Sequence, residues 1–140
     1  MRIALALVGC SLILVGCQHF ERAHQCRAFA DGVNPELKEL SAVYLKRAPA
    51  SAQEYHDAAK KYAAAATRLT KLKFKEPELI RLAQDIRDNL NAIGRSCDRL
   101  ASKFEHPERP SDTTPERDLE AQRQLHLSLV GAVDKFCQQQ

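Results

Sequence analysis

The chain has 140 residues, of which 44% are hydrophobic and 28% are charged. This length and composition predict one packed domain and exclude a wholly disordered chain. Five glycines, no tryptophan and many Ala, Leu, Lys, Arg, Glu and Gln residues favour helix over strand. The net charge of +3 is too evenly balanced to indicate a protein that binds nucleic acid.

The first seventeen residues read MRIALALVGCSLILVGC and are distinct from the rest of the chain. A positive charge at Arg2 precedes an apolar run over residues 3–15. That run is shorter than the roughly 20 residues that a membrane-spanning helix needs. A charged start, a short apolar centre and an ending in small residues are typical of a secretory signal.

The ending of this segment is more specific. Residues 14–17 read LVGC and resemble the lipobox of bacterial lipoproteins. The resemblance implies diacylation of Cys17, cleavage before it and N-acylation of the new terminus. Two or three acyl chains make membrane attachment stable, where a single chain is marginal. We therefore expect residues 1–16 to be a cleaved signal peptide and residues 17–140 to be a lipid-anchored domain.

The location expected from this resemblance is the bacterial cell envelope. Residue 18 is Gln rather than Asp, which in enterobacteria-like sorting implies the outer membrane, with the domain facing the periplasm or the cell surface. A second LVGC occurs at residues 7–10, but cleavage there would leave an apolar region of about five residues, short of the usual 7–15. A plain signal peptide or an uncleaved anchor is the alternative.

The first predicted helix covers about residues 19–47. Its apolar residues recur every three or four positions, which marks one helical stripe: Cys26, Phe29, Val33, Leu37, Leu40, Val43 and Tyr44. Pro35 lies inside this pattern, and proline in a helix interior bends or breaks the helix. Because the stripe keeps its phase across Pro35, we predict one helix that is kinked there. The alternative is two helices with a break at residues 32–34.

Two further helices are predicted over about residues 52–72 and 77–104. Ser51 and Glu54 have the spacing of a capping box at the start of the second helix. Pro77 suits the first turn of the third helix. The third helix carries the clearest heptad-like seam of the chain: Leu79, Leu82, Ala83, Ile86, Leu90, Ile93, Cys97, Leu100 and Phe104.

The fourth predicted helix covers about residues 115–137 and follows a proline-containing loop. Thr113 and Glu116 have the spacing of a second capping box. Its predicted apolar face includes Leu119, Leu125, Leu129, Val133 and Phe136. Four helices with short connections predict an all-α, antiparallel, up-down-up-down four-helix bundle.

Three cysteines lie outside the leader: Cys26, Cys97 and Cys137. The topology predicts which two of them can form a disulfide. At 1.5 Å per residue, Cys26 and Cys137 both lie about 32 Å below the top of neighbouring helices, whereas Cys97 is roughly 20 Å away along the axis. A disulfide requires Cα atoms within about 7 Å of each other. We predict a Cys26–Cys137 disulfide, with Cys97 as a buried free thiol. The alternative is three reduced, buried cysteines.

Residues that could carry catalysis or hold a metal are sparse. Glu21 and His24 have the Glu-x-x-His spacing of di-iron bundles, but the sequence has no second copy. No Cys-x-x-Cys-His, Gly-x-Ser-x-Gly or glycine-rich phosphate loop occurs. His126 borders an apolar face, where a hydrogen-bonded boundary residue is a more common role than a ligand. We therefore predict no enzyme, no cofactor and no metal.

One group of basic residues surrounds the turn between the second and third helices: Arg68, Lys71, Lys73, Lys75 and Arg81. The topology places this turn at the end nearest Cys17, where basic side chains could contact anionic headgroups at about 1 kcal/mol each. The alternative, which we favour, is an ordinary charged helix end, because Lys and Arg suit helix C-termini.

The sequence leaves two classes of function open. The first is a non-enzymatic helical module, structural or for interaction, attached to the membrane by the acyl chains on Cys17 and bound to an unknown envelope protein. The second is a bundle that holds a small ligand or a metal between its helices. A filled core and an exposed apolar patch favour the first class, and an internal polar-lined cavity favours the second.

Overall fold

The computed structural model describes residues 20–35, 38, 51–108 and 113–139. Four helices and no strand occur within these ranges, which confirms the all-α prediction. They are α1 at residues 20–35, α2 at Ala52–Lys71, α3 at Pro77–Glu105 and α4 at Thr114–Gln138.

Contacts between the ends of neighbouring helices give the direction of each one. His56, near the start of α2, contacts Glu105 at the end of α3. Lys103, near the end of α3, forms an ion pair with Glu116 at the start of α4. A disulfide joins the first turns of α1 to the last turn of α4. Each helix is therefore antiparallel to its neighbours, and the predicted up-down-up-down bundle is confirmed.

Two of the helix starts were predicted as capping boxes, and the side-chain cap of one of them forms. The Ser51 hydroxyl accepts a hydrogen bond from the Glu54 amide at 3.3 Å and so satisfies one free amide of α2. Thr113 precedes α4, but its side chain makes no capping hydrogen bond. Its backbone has φ −91° and ψ 1°, outside the extended region that a capping side chain normally requires. The Glu116 carboxylate instead pairs with Lys103.

Helix α1 is continuous from residue 20 to Pro35, so a break at residues 32–34 is wrong. Gly32 lies inside it at a close approach to the end of α2, because a Cβ added there would lie 2.7 Å from Cδ1 of Leu72. The predicted extension of this helix to residue 47, and hence any kink that follows Pro35, falls outside the described residues apart from Lys38, which is helical.

Helix α3 forms the centre of the bundle, because nearly its whole predicted seam is buried. Leu79, Ile86 and Leu90 have no exposed surface. The lower half of the core joins α3 to the other three helices through Phe29, Val33, Ala65, Ala66, Leu69, Val133 and Phe136. The upper half joins it to α2 through Tyr55, Ala58, Ala59, Ile93, Cys97, Leu100 and Ala101.

Helix α4 is the least buried of the three helices that are described in full. Only Pro115, Val133 and Phe136 are buried in it. Leu125, predicted on the core face, is 47% exposed, and Leu127 is 65% exposed. The reason is that α4 contacts the bundle along a narrow stripe, so apolar residues on both flanks of this stripe are exposed.

Gly131 provides a test of this exposure. A Cβ added at Gly131 would meet nothing within 4 Å. Gly131→Ala should therefore raise the free energy of unfolding by about 0.5–1 kcal/mol, the usual gain of Ala over Gly inside a helix. Gly32→Ala is the matched comparison and should gain less, because Leu72 must move. Urea denaturation measures both, and a loss of stability in Gly131→Ala would show that α4 is covered there.

Candidate functional site

The lower end of the bundle, where α1 begins and α4 ends, is covalently closed. Cys26 and Cys137 form a disulfide with their Cα atoms 6.0 Å apart, as predicted. The bond links residues 111 positions apart and joins helices that no short loop connects. It therefore holds together the first and last helices of the bundle.

Arg22 adds noncovalent links at the same end. Its guanidinium lies 4.8 Å from the centroid of the Phe136 ring. It also donates to the backbone oxygen of Gln139 at 3.3 Å and pairs with Glu76 at 3.6 Å. This one side chain thus connects α1 to the end of α4 and to the residue that precedes α3.

Gln25 links α1 to the turn between α2 and α3. Its side chain is 3% exposed, and its Oε1 atom accepts hydrogen bonds from the amides of Lys75 at 2.7 Å and Glu76 at 3.3 Å. Glu76 precedes α3 and has no capping hydrogen bond of its own side chain. Gln25, which lies on α1, therefore caps the start of α3 in place of a local side chain. This role could not be predicted from the sequence, because a Gln on a helix usually faces solvent.

The five basic residues of the predicted cluster lie at this end, on the last turn of α2, the following turn and the start of α3. They are Arg68, Lys71, Lys73, Lys75 and Arg81, and all are exposed. Lys75 pairs with Glu21 at 3.1 Å, and Arg81 pairs with Asp85 at 2.9 Å. The hydrogen bond from Lys75 lowers the pKa of Glu21 below its usual value. Partners thus offset part of the positive charge.

Cys17, the predicted lipidation site, lies outside the described residues. Phe20 is the first described residue of α1, three positions after Cys17, and 77% of it is exposed. In the described part of the chain, no helix is both long enough and apolar enough to cross a membrane.

Cys97 is a free cysteine, as predicted, and it is buried in the upper half of the core. Burial raises the pKa of its thiol to about 12. The thiolate is the reactive form of cysteine, so this thiol is chemically inert at neutral pH. Its role is that of a small apolar side chain.

A cavity of about 230 Å³ lies between α1 and α4, directly above the disulfide. Cys26 and Cys137 line it at the lower end. Its apolar walls are Phe29, Ala30 and Val33 of α1, Ile86 of α3, and Val130 and Val133 of α4. The polar residues of the lining are Asn34, His126 and Asp134. Sequence reasoning missed this cavity, because Phe29, Val33, Ile86 and Val133 have the pattern of ordinary core positions.

The tautomer of His126 follows from its neighbours. The buried Asn89 amide donates through Nδ2 to the backbone and side-chain oxygens of Gln122, both at 2.9 Å. Its Oδ1 atom is therefore the acceptor that faces His126 Nδ1 at 3.1 Å. Nδ1 must carry the proton, which leaves Nε2 as an acceptor. Burial lowers the pKa of His126, so the neutral ring is favoured.

His56 connects α2 to α3 at the upper end of the bundle. Its Nδ1 lies 3.0 Å from Asp98 and its Nε2 lies 3.4 Å from Glu105. The hydrogen bond to Asp98, with a further contribution from Glu105, raises the pKa of His56. The described residues contain no group of three or more His, Cys, Asp or Glu side chains that could hold a metal ion.

Comparison of the chain with known proteins adds no relative. No family model, no curated protein and no solved structure matches it.

Removal of the disulfide provides the second prediction. Replacing Cys26 and Cys137 with Ser should lower the free energy of unfolding by at most about 4.7 kcal/mol, because the unfolded chain gains the entropy of a long loop. Urea denaturation with and without reductant measures the loss. The double variant should not respond to reductant, whereas Cys97→Ala should respond like the wild type. Equal stability of oxidised and reduced wild type would contradict this role.

The two histidines predict pH effects of opposite sign. Since the pKa of His56 is raised, its stabilising contribution is present below about pH 6.5 and is lost as the pH rises through the folded-state pKa. Since the pKa of His126 is lowered, its contribution is present above about pH 6.5 and is lost as the pH falls towards the folded-state pKa.

Denaturation at pH 5.5 and 8.5 of the wild type, His56→Gln and His126→Gln separates the two effects. The destabilisation caused by His56→Gln should be larger at the acidic pH, and that caused by His126→Gln should be larger at the alkaline pH. The same trend in both variants would refute the assignment.

Proposed function

We propose that this protein is a bacterial lipoprotein of the cell envelope whose helical bundle is a non-enzymatic interaction or structural module. The observation that carries the proposal is the position of the LVGC motif at residues 14–17, at the end of a short apolar run and three residues before the described start of α1. With acyl chains on Cys17, the lower end of the bundle would lie next to the membrane.

The disulfide supports an envelope location. Disulfides form and persist in oxidising compartments such as the bacterial periplasm, and they are rare in the cytosol. The Cys26–Cys137 bond closes the bundle at the end that would carry the lipid. A bundle fastened at this end would resist separation of α1 from the other helices when the anchor is pulled.

The exposed surface of α4 supports an interaction role. Leu125 and Leu127 are exposed on the two flanks of the stripe that α4 buries, while the seam of α3 is almost wholly buried. Exposed apolar residues on a helix that is only narrowly buried are the arrangement expected of a module that binds a protein partner.

The basic cluster is best explained as a charged helix end. Arg68 and Lys71 lie in the last turn of α2, where cations are favourable, and Lys75 and Arg81 have carboxylate partners. The proposal therefore assigns membrane attachment to the acyl chains. Replacing the three lysines at positions 71, 73 and 75 should leave attachment unchanged.

The proposal is tested by labelling the full chain in bacteria with an alkyne analogue of palmitate. The wild type should take up the label and fractionate with the outer membrane. Cys17→Ser should lose the label, and Cys10→Ser should keep it as the matched control. An unlabelled wild type, or equal labelling of Cys17→Ser, would refute the lipoprotein assignment.

The interaction role is tested in the same cells with a photo-crosslinking residue at position 127 on α4. We expect discrete crosslinks to an envelope protein from position 127 and none from position 60, which is exposed on α2. The same yield from both positions would refute α4 as the interaction face.

A further inference from the structure

The cavity between α1 and α4 has the properties of a small binding site. Its volume is about 230 Å³, and its walls come from three helices. An apolar cavity of about 150 Å³ is already large enough to hold a benzene molecule. The space therefore fits one six-membered ring with one or two additional heavy atoms.

His126 provides a hydrogen-bond acceptor at the cavity, which favours ligands that carry a donor. Its Nδ1 atom donates to Asn89, whose own amide is held by two hydrogen bonds to Gln122. This chain of hydrogen bonds fixes the imidazole tautomer and leaves Nε2 as an acceptor. No atom of the described residues bonds Nε2 of His126, although the residue lines the cavity. A ligand that brings a hydrogen-bond donor would satisfy an atom that an entirely apolar ligand leaves unpaired.

Charge limits the ligand further. The polar residues at the cavity besides His126 are Asn34 and Asp134, and Asp134 has no cationic partner within the part of the chain that the structure describes. A carboxylate on the ligand would therefore meet a like charge and a histidine in its neutral form. This disfavours anions. The walls are mainly apolar, so a cation would also lose hydration on entry, and neutral molecules are favoured.

We propose that this cavity binds a small neutral alcohol or phenol, with its apolar body between α1 and α4 and its hydroxyl donating to Nε2 of His126. This inference does not depend on lipidation, and it assigns a ligand site to a bundle whose proposed role is interaction. The disulfide closes the lower end of the site, so it also shapes the cavity.

The test uses methyl NMR of the full chain in detergent micelles and three probes that share one ring: 4-methylphenol, toluene and 4-methylbenzoate. The methyl signals of Val33, Val130 and Val133 report occupation of the cavity. We expect 4-methylphenol to bind roughly fivefold to tenfold more tightly than toluene, the value of one hydrogen bond, and 4-methylbenzoate to bind least. No shift of these signals at saturating 4-methylphenol would overturn the proposal.

Variants separate the cavity from partition of the probes into detergent, which is the same for every variant. Ala30→Leu fills the cavity and should abolish the shifts, whereas Ala121→Leu, on the exposed surface of α4, should not change them. His126→Phe keeps the ring but removes the acceptor, so it should bind toluene like the wild type and lose the advantage of 4-methylphenol. An unchanged advantage in His126→Phe would overturn the hydrogen bond.

If His126→Phe does not fold, the ¹⁵N shift of Nε2 in the wild type decides the question. Addition of 4-methylphenol should shift this signal in the direction of an accepted hydrogen bond, and addition of toluene should not. Equal responses to the two probes would overturn the role of His126.

Discussion

The covalent link between α1 and α4 is the constraint on which the rest of this bundle depends. Helices α2 and α3, and α3 and α4, are neighbours in sequence, so short connections keep them close. Helices α1 and α4 are at opposite ends of the chain, and α4 contributes only three buried residues to the packing. The Cys26–Cys137 disulfide compensates for this small buried area, because a covalent bond holds α1 against α4.

Near this bond, polar side chains connect the helices and cap a helix start that has no local cap. Arg22 joins three helices, and Gln25 caps α3 from α1. Farther up, Asn89 and Gln122 hold His126 in one tautomer. Buried amides of this kind cost free energy unless each donor and acceptor is paired, and here Gln25 and Asn89 use both ends of their side chains. They define the relative positions of helices that apolar contacts alone would leave free to slide.

The small buried area of α4 explains two features of this helix, a cavity on one side and exposed leucines. Where α4 faces α1 above the disulfide, the wall residues do not fill the space next to His126 and leave the cavity. On the two flanks of the buried stripe, Leu125 and Leu127 remain in contact with solvent. Both features arise because a narrow stripe of α4 is shared with the core. Exposed apolar residues and a partly open cavity therefore lie on the same helix.

The sequence alone determined the helices of this protein and the pairing of its cysteines. Apolar residues three and four positions apart place α2, α3 and α4 within a few residues of their observed ends, since helical periodicity is a local property of the chain. Cys26 and Cys137 could be paired from helix rise and topology, because both measures depend only on residue number. The LVGC segment likewise predicts a lipid anchor from a continuous run of residues, and this remains a proposal.

Only the tertiary structure decided which polar side chains act across helices. Gln25, Asn89 and His126 are ordinary residues in a helical pattern, and their roles depend on what a distant segment places beside them. The exposure of Leu125 and the cavity above the disulfide were hidden for the same reason. A periodic stripe shows that a side chain faces the bundle, but the spacing between two helices decides whether it meets a neighbour, solvent or empty space.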